Sequence, residues 1–357
     1  MFIKFYKNRC DLLGKILKSN LHNYIPYKLN YAVTYCCNSR CNICNIWQRK
    51  RSLHNELTLF EIKKFFQINK FSWLSLTGGE PFLSQRLVDI VKCASEFLPL
   101  EILNIPTNGL ISDEIVEKSE QIIKYQIPYT VITVSLDGLH DNYLNIRGID
   151  GFNQALETYV RLYYLGRKYK NFKTYIAYTI SPLNVGLLRD FVNDIHCRLA
   201  KNNIDFNLSN IHLNVYQDSD YYTQIKLATD EQHNFYSQAV KEIEWYLKHR
   251  EIFNLFDFIE KEYVKFYKIF LQGNRLPIQC LAARSSFFLD PYGNLYPCIN
   301  YLTKICSLHD INFDLGQIDN LLLKKLRNII DQNNCPRCWT SCEASQSILG
   351  QLIKLVL

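Results

Sequence analysis

Three cysteines early in the chain have the spacing of a metal-cluster site. Cys37, Cys41 and Cys44 form a C-x3-C-x2-C pattern directly after an apolar run typical of a strand. With 13 cysteines in 357 residues, chance would produce this pattern only about 0.02 times. Cys36 stands beside Cys37, but neighbours in an extended segment point to opposite sides, so a fourth ligand is not expected there. Three thiolates favour an iron–sulfur cluster with one open iron over a structural zinc ion, which takes four ligands.

A second group of cysteines lies near the C-terminus. Its members are Cys280, Cys298, Cys335, Cys338 and Cys342. Cys298 closely follows Asp290-Pro-Tyr-Gly-Asn294, which is a turn signal between two apolar runs and predicts a hairpin. Such a group can hold either a second iron–sulfur cluster or a zinc ion. Another four cysteines have no partner spacing and are expected to be buried small hydrophobes, namely Cys36, Cys93, Cys197 and Cys306.

The segment between the two cysteine groups begins with alternating strands and helices. Six apolar runs alternate with five helical segments over residues 29–216, which predicts an α/β fold with a parallel sheet, either doubly wound or curled into an incomplete barrel. In both architectures ligands bind at the carboxyl ends of the strands. The polar residues that follow the predicted strands are Gly78-Gly79-Glu80-Pro81, Asn108, Ser135, Asp137, Ser181 and Asn184.

These residue types suit a ligand with an amino acid end and a sugar. Two glycines let the main chain approach a ligand closely, and the Glu80 carboxylate can receive an ammonium group. Ser135 and Asp137 can bind sugar hydroxyls, and Arg147 can take a carboxylate with two hydrogen bonds. Each feature also has an ordinary interpretation, namely a tight turn for the glycines, a turn residue for Asp137 and a solvated side chain for Arg147.

The composition indicates a folded globular chain. Its residues are 48% hydrophobic, and its net charge of +7 includes no run of five like charges, so nothing points to nucleic-acid binding. No apolar span approaches the length of about 18 residues that a transmembrane helix needs. We therefore expect a cytoplasmic protein without a transmembrane segment, whose cysteines bind metal and do not form disulfides. Residues 1–28 predict a basic amphipathic helix, which could touch a membrane surface but more simply closes one end of the main domain.

The order of the motifs resembles the radical S-adenosylmethionine (radical SAM) superfamily. That resemblance implies a partial (βα)6 barrel in which Cys37, Cys41 and Cys44 hold a catalytic 4Fe–4S cluster that binds SAM. It also assigns Gly78–Pro81 to the methionine amino group and Arg147 to the methionine carboxylate. The residues that it assigns to the nucleoside side of SAM are Ser135, Asp137, Ser181 and Asn184, with Asn108 as a further contact.

The C-terminal cysteines resemble the auxiliary-cluster region called SPASM or, in its shorter form, twitch. The last cysteines of a complete SPASM pattern are missing from this sequence, which favours the shorter form with one auxiliary 4Fe–4S cluster. Cys280, Cys298, Cys335 and Cys338 are the preferred ligands, with Cys342 as a spare thiol. The predicted organisation is a helix over 1–28, the barrel over 29–216, a helical bridge over 217–275 and the auxiliary domain over 276–357.

The resemblance implies an enzyme that cleaves SAM reductively and abstracts a hydrogen atom from a substrate. Only 28 residues precede the predicted barrel, too few for a leader-peptide recognition domain, so a small molecule or cofactor precursor is favoured as substrate. A ribosomal-peptide maturase with a separate recognition protein is the alternative. A non-catalytic zinc protein is the alternative from another class. An electron donor such as flavodoxin or ferredoxin is the expected partner.

Overall fold

The structure is a computed structural model that describes most of the chain. The described residues are 12, 14–16, 26–49, 52, 55–219, 221–222, 225–273 and 278–356. The helix predicted over 1–28 lies outside these residues, apart from the few positions named. Among the described residues, no helix combines the length and apolar character needed to cross a membrane.

In the described part of the chain, nine strands form one continuous sheet. They are β1 (Lys28–Thr34), β2 (Trp73–Gly78), β3 (Ile102–Thr107), β4 (Tyr129–Ser135), β5 (Phe172–Ile180), β6 (Ile211–Val215), β7 (Ser286–Leu289), β8 (Asn294–Tyr296) and β9 (Cys306–Ser307). Their order is β6-β5-β4-β3-β2-β1-β7-β8-β9. Strands β1 to β6 are all parallel to their neighbours, which confirms the predicted α/β barrel fold.

The helices of the barrel follow its strands and cover the sheet. They are α1 (Leu59–Ile68), α2 (Leu87–Phe97), α3 (Ser112–Ile123), α4 (His140–Arg147), α5 (Phe152–Lys168) and α6 (Leu188–Ala200). Thr58 starts α1 with a capping box, in which its hydroxyl accepts from the Glu61 N–H and the Glu61 carboxylate accepts from the Thr58 N–H. Every residue of β1 is buried, as expected of a central strand in a parallel sheet that is covered on both faces.

The C-terminal part continues the barrel sheet instead of starting a sheet of its own. Strand β7 pairs in parallel with β1, from Lys28 opposite Ser286 to Tyr31 opposite Leu289. The predicted hairpin is present, since β7 and β8 are antiparallel and Gly293 takes a left-handed φ of 83° in the turn.

Four more helices complete the described structure. The two long helices predicted after the barrel are α7 (Thr229–His249) and α8 (Leu255–Gly273). Two further helices, α9 (Asn320–Asp331) and α10 (Ser341–Val356), were not predicted from the sequence. The second of them contains Cys342, so the C-terminal part is a mixed α/β structure and more than a cysteine-bearing hairpin.

Candidate functional site

The loop with the first three cysteines lies at the carboxyl end of β1 and caps a neighbouring helix. The N–H of Arg40 donates to the Arg147 carbonyl at 3.0 Å, and the N–H of Asn42 donates to the Ile146 carbonyl at 2.8 Å. The last carbonyls of a helix have no partner within it, and here the cysteine loop supplies donors to α4. Gly148 ends that helix with a φ of 66°, and a Cβ there would lie 2.2 Å from the Arg40 carbonyl oxygen. The loop and α4 therefore pack backbone against backbone.

Donor groups surround the sulfurs of this loop. The Arg147 guanidinium lies 3.8 Å from Cys41 Sγ, the Asn108 amide 4.0 Å from Cys37 Sγ, and the Ser39 hydroxyl 3.1 Å from Cys41 Sγ. Burial raises the pKa of Cys37 to about 11 and that of Cys44 to about 12. Metal binding at this loop would therefore have to displace thiol protons, as it generally does at cysteine sites.

The two glycines at the end of β2 permit a close backbone contact with the cysteine loop. A Cβ on Gly78 would lie 2.1 Å from the Thr34 carbonyl oxygen, and one on Gly79 would lie 2.2 Å from the Cys36 carbonyl oxygen. The N–H of Gly79 donates to the Thr34 carbonyl at 2.8 Å, and the N–H of Glu80 donates to the Cys36 carbonyl at 2.7 Å. The sequence suggested that these glycines allow a ligand to approach the main chain. The backbone contact with the cysteine loop is by itself sufficient to require glycine at both positions.

Glu80 is a buried carboxylate that connects the ends of β2 and β3. It accepts hydrogen bonds from the Phe82 N–H at 3.2 Å, the Thr107 hydroxyl at 2.8 Å and the Asn108 N–H at 2.7 Å. Pro81 begins the single 3-10 turn that follows, and this turn fixes the Phe82 donor. Burial raises the pKa of Glu80 to about 7 in spite of these donors. A desolvated carboxylate of this kind gains much from a bound cation.

Asp137 and Arg147 form a buried ion pair across the ends of β4 and α4. Arg147 Nη2 contacts Asp137 Oδ2, and Asp137 Oδ1 accepts from the Thr179 N–H at 2.8 Å. Burial disfavours the charge on Arg147, but the nearby Asp137 carboxylate outweighs it and raises the Arg147 pKa. Asp137, which the resemblance assigned to the ribose, and Arg147, which it assigned to the methionine carboxylate, are therefore direct neighbours.

Ser181 and Asn184 follow β5 and support the same corner of the site. The Asn184 side chain accepts from the Ser181 N–H at 2.6 Å and donates to the Asp137 carbonyl at 2.7 Å and to the Thr179 carbonyl at 2.9 Å. Both amide hydrogens of Asn184 are thus engaged with the main chain. Ser135 is the half-buried last residue of β4. Apart from Arg147, which ends α4, the residues predicted to contact SAM lie at the carboxyl ends of β2 to β5. Their contacts with SAM stay predictions.

The second cysteine group comes together from separate segments of the chain. Cys298 follows β8, Cys280 precedes β7, and Cys338 lies just before α10. Burial strongly raises the pKa of Cys280 and of Cys298, and the Cys338 thiol raises both further. Burial also raises the pKa of Cys338 to about 12, with a smaller contribution from Cys335. These four thiols are the predicted ligands, and they influence one another electrostatically. Cys342 lies in the same neighbourhood, where Lys28 opposes the rise in its pKa.

A segment that sequence reasoning missed connects the two cysteine groups. We define residues 217–219 and 221–222 as the strap. Its Gln217 side chain donates to the Trp339 carbonyl at 2.7 Å and accepts from the Trp339 N–H at 2.8 Å, next to Cys338. Its Tyr222 carbonyl accepts from the N–H of Asn45, beside Cys44, at 2.9 Å. The only available signal was the tyrosine-rich sequence around residue 221, which predicts no particular contact.

Aromatic side chains fill the space next to the strap. Tyr221 packs edge-to-face on Phe288 with ring centroids 4.9 Å apart, and Arg49 lies 4.4 Å from the centre of the Tyr221 ring. The same apolar cluster includes both Cys44 and Cys342 at its margin. The two cysteine groups therefore border one aromatic cluster.

The donor sets fit iron–sulfur clusters in their chemistry. Three thiols at the first loop and five at the second are the ligand type that such clusters use, and the cationic Arg147 near Cys41 suits a negatively charged group. Among the described residues, no three His, Cys, Asp or Glu side chains converge on the position of a single metal ion. A four-iron cluster distributes its thiolates over different irons, so its ligands need not converge in that way. The ligand sets stay predictions.

Comparison with known families identifies the part of the chain that carries the first site. Residues 31–186 match the radical SAM superfamily. The radical SAM match covers the cysteine loop, Gly78–Pro81, Arg147 and Asn184, and so the resemblance stated from the sequence is confirmed.

Curated relatives match part of this chain. The GTP 3′,8-cyclase of Clostridium perfringens (strain SM101 / Type A) is 30% identical over 150 residues, which are 39% of this chain and 43% of that protein. The probable GTP 3′,8-cyclase of Saccharolobus solfataricus is 28% identical over 134 residues, 36% of this chain and 41% of that protein. The chain thus spans less than half the length of these relatives.

Solved structures extend the similarity to the C-terminal part. The Streptococcus suis protein SuiB bound to S-adenosylmethionine is 17% identical, with a TM-score of 0.58 over 93% of this chain and 75% of that one. SuiB bound to its precursor peptide SuiA gives a TM-score of 0.56 at 16% identity, over 93% and 73% of the two chains. At this identity the similarity shows a shared fold. Because it covers nearly the whole chain, the C-terminal region shares that fold too, and its cysteines fit the SPASM/twitch resemblance.

The cysteines without partner spacing differ in their exposure. Cys93 is buried as expected, and Cys36 and Cys306 are half-buried. The expectation was wrong for Cys197, which is exposed. Its helix α6 packs on the sheet through Leu188, Phe191 and Ile195, so Cys197 falls on the outer face of that helix.

Proposed function

We propose that this chain is a radical SAM enzyme that abstracts a hydrogen atom from its substrate. Cys37, Cys41 and Cys44 would hold a 4Fe–4S cluster. When bound and reduced, this cluster would supply the electron for the cleavage of SAM into methionine and a 5′-deoxyadenosyl radical. The observation that carries this proposal is one contiguous arrangement at the strand ends. The cysteine loop is hydrogen-bonded to both Glu80 and the end of α4, so the thiols, a buried carboxylate and a buried guanidinium share one site.

The side chains of this site divide the binding of SAM between them. The Glu80 carboxylate receives the methionine ammonium, because it is desolvated and has no cation of its own among its hydrogen-bond partners. Arg147, held in place by Asp137, attracts the methionine carboxylate. Ser135, Ser181 and the Asp137 backbone, which is fixed by Asn184, form the nucleoside side. Burial of these groups excludes water from a reactive radical.

The second cysteine group holds an auxiliary 4Fe–4S cluster that carries electrons. Cys280, Cys298, Cys335 and Cys338 are its ligands, and a fully ligated cluster has no iron free to bind a substrate. Support comes from the electrostatic influence of Cys338 on Cys280 and Cys298, and of Cys335 on Cys338. The protein works in the cytoplasm, where a flavodoxin or ferredoxin supplies electrons.

The substrate is a small molecule or cofactor precursor. Support comes from the curated relatives, which are named as GTP 3′,8-cyclases and match part of this chain. A ribosomal peptide is the second candidate, because the fold of nearly the whole chain is shared with SuiB, whose structure was determined with its precursor peptide SuiA. GTP and a set of peptides are therefore the first substrates to compare.

The test begins with anaerobic purification and cluster reconstitution. We expect broad absorption near 400 nm, about eight irons per chain, and 5′-deoxyadenosine after addition of SAM and dithionite. A colourless protein that contains zinc would contradict the proposal and support the non-catalytic alternative.

Deuterium transfer then distinguishes the two substrate classes. The reduced enzyme is incubated with SAM and either the low-molecular-mass fraction or the peptide fraction of a deuterium-labelled cell extract. If only the low-molecular-mass fraction gives deuterated 5′-deoxyadenosine, the substrate is a small molecule. If only the peptide fraction does, the substrate is a peptide.

A further inference from the structure

A fully buried lysine lies beside the second cysteine group. Lys28, the first residue of β1, is only 1% exposed, although lysine is almost never fully buried without a partner. Its ammonium donates to the Cys342 carbonyl at 2.5 Å and to Gln346 Oε1 at 3.0 Å, and it lies 4.2 Å from the centre of the Trp73 ring. The lysine thus connects the barrel to the start of α10.

A buried glutamate completes the charged network around α10. Glu343 is 4% exposed and accepts from the Asn30 amide at 3.1 Å and from the Ser286 hydroxyl. Gln346 contacts both charged residues, since its oxygen accepts from Lys28 and its amide donates to Glu343. Strands β1 and β7 and helix α10 therefore meet at one buried cation and one buried carboxylate.

The electrostatic effect of this network reaches the thiols of the second group. Apart from burial, the Glu343 carboxylate is a further cause of the raised pKa of Cys280, Cys298 and Cys338. Lys28 acts on Cys342 in the opposite direction. Nothing in the proposed binding of SAM uses either charge. Isolated buried charges are costly. The Lys28 ammonium already has an attractive partner in Glu343, and a nearby group of thiolates would add further anionic partners.

We propose that Lys28 and Glu343 set the reduction potential of the auxiliary cluster. The Lys28 ammonium stabilises the reduced form of the cluster, and the Glu343 carboxylate destabilises it. This inference rests on the proposed function, because it requires the second cysteine group to hold a cluster. The reduced state carries one more negative charge than the oxidised state, so a nearby cation raises the potential and a nearby carboxylate lowers it. Both are positioning residues that act without ligating iron.

The test uses the reconstituted full-length protein in redox titrations followed by electron paramagnetic resonance. Lys28→Met should shift the auxiliary midpoint potential downward, and Glu343→Gln should shift it upward. Lys28→Arg keeps the charge and should stay close to the wild-type potential. Lys118→Met is the matched control, because Lys118 is also a largely buried lysine with carbonyl partners, those of Phe82 and Ser84 in the barrel. It should leave the auxiliary potential unchanged.

The opposite signs expected for the two shifts in midpoint potential distinguish an electrostatic effect from a structural one. Unchanged potentials in both variants at wild-type iron content would overturn the inference, and so would shifts of the same sign. If Lys28→Met fails to fold or to load iron, the upward shift of Glu343→Gln supports the inference and its absence overturns it. A wild-type protein without a second cluster would instead refute the auxiliary-cluster part of the proposed function, which iron analysis detects before any titration.

Discussion

The two cysteine groups are assembled in different ways. Cys37, Cys41 and Cys44 belong to one loop, which is fixed by backbone hydrogen bonds to the end of β2 and to the end of α4. The second group draws on three segments, one before β7, one after β8 and one leading into α10. Side-chain contacts from elsewhere in the chain, such as those of Gln217 with Trp339, hold the last of these segments in place. The first site is thus encoded in local spacing, and the second depends on the tertiary structure.

This difference explains why one ligand set follows from the sequence and the other leaves a choice. A short loop allows few arrangements of its three thiols, so their spacing defines the site. In the second group, five thiols from distant segments are candidates for the four ligand positions of the proposed auxiliary cluster. The choice among them depends on how α10 packs. Variants that damage one group and spare the other test this distinction.

The largest effect is expected from replacing Cys37, Cys41 and Cys44 together with Ala. Reductive cleavage of SAM should be abolished, because no iron remains to bind it, while the auxiliary cluster persists. Iron content should fall from about eight to about four per chain, and 5′-deoxyadenosine should be undetectable by chromatography after dithionite reduction. Continued formation of 5′-deoxyadenosine would refute the assignment of the first site.

Single replacements in the second group should remove about half of the iron or none. Cys280→Ala, Cys298→Ala, Cys335→Ala and Cys338→Ala should each lose or damage the auxiliary cluster, whereas Cys342→Ala should keep about eight irons per chain. Iron analysis and electron paramagnetic resonance measure the outcome. If Cys342→Ala loses iron and Cys338→Ala does not, the ligand set changes and the electron-carrier role must be reconsidered.

Gly79→Ala tests the backbone contact that holds the first loop. A Cβ at 2.2 Å from the Cys36 carbonyl oxygen forces the two segments apart, and we expect a loss of roughly 2–3 kcal/mol in unfolding free energy. Denaturant unfolding measures this loss. Gly273→Ala is the control, because a Cβ there has no heavy atom within 4 Å. Equal stability of the two variants would show that the first loop tolerates displacement.

The smallest effect concerns the pH dependence of SAM binding through Glu80. Burial raises the Glu80 pKa from 4.5 to about 7, so the carboxylate that we propose binds the ammonium becomes ionised only as pH rises through about 7. SAM affinity measured by calorimetry should increase about tenfold between about pH 6 and 8. Without SAM, stability should fall as pH rises from about 4.5 to about 7, because the folded state then binds more protons than the unfolded state.

Glu80→Gln should weaken SAM binding about tenfold or more and remove its rise with pH. Arg147→Ala should also weaken binding about tenfold, but without removing the rise. If Arg147→Ala keeps the wild-type affinity for SAM, Arg147 only stabilises Asp137 and does not bind SAM.

The sequence predicted the features that depend on local pattern. The strands and most barrel helices follow from apolar periodicity, and Glu80, Asn108, Asp137 and Asn184 were expected at strand ends because parallel strands present their carboxyl ends together. The Asp137–Arg147 pair was not predicted, since α4 turns Arg147 back over the end of β4. The strap was also missed, because contacts such as that of Ser219 with Asn300 join distant segments. Pairing of β7 with β1 has no local signal at all.

That pairing has a consequence for how the chain is made. Strand β1 leaves the ribosome early, and β2 covers one of its edges soon afterwards, but its other edge waits for β7. A nascent chain that ends after α8 therefore exposes one edge of β1, an apolar strand that is buried in the folded protein. The unpaired backbone groups of this edge are a template for aggregation. Closing this edge requires a contact between Lys28 and Ser286, which is very distant along the chain and slow to form. Truncation before β7 should thus harm the solubility of the barrel itself.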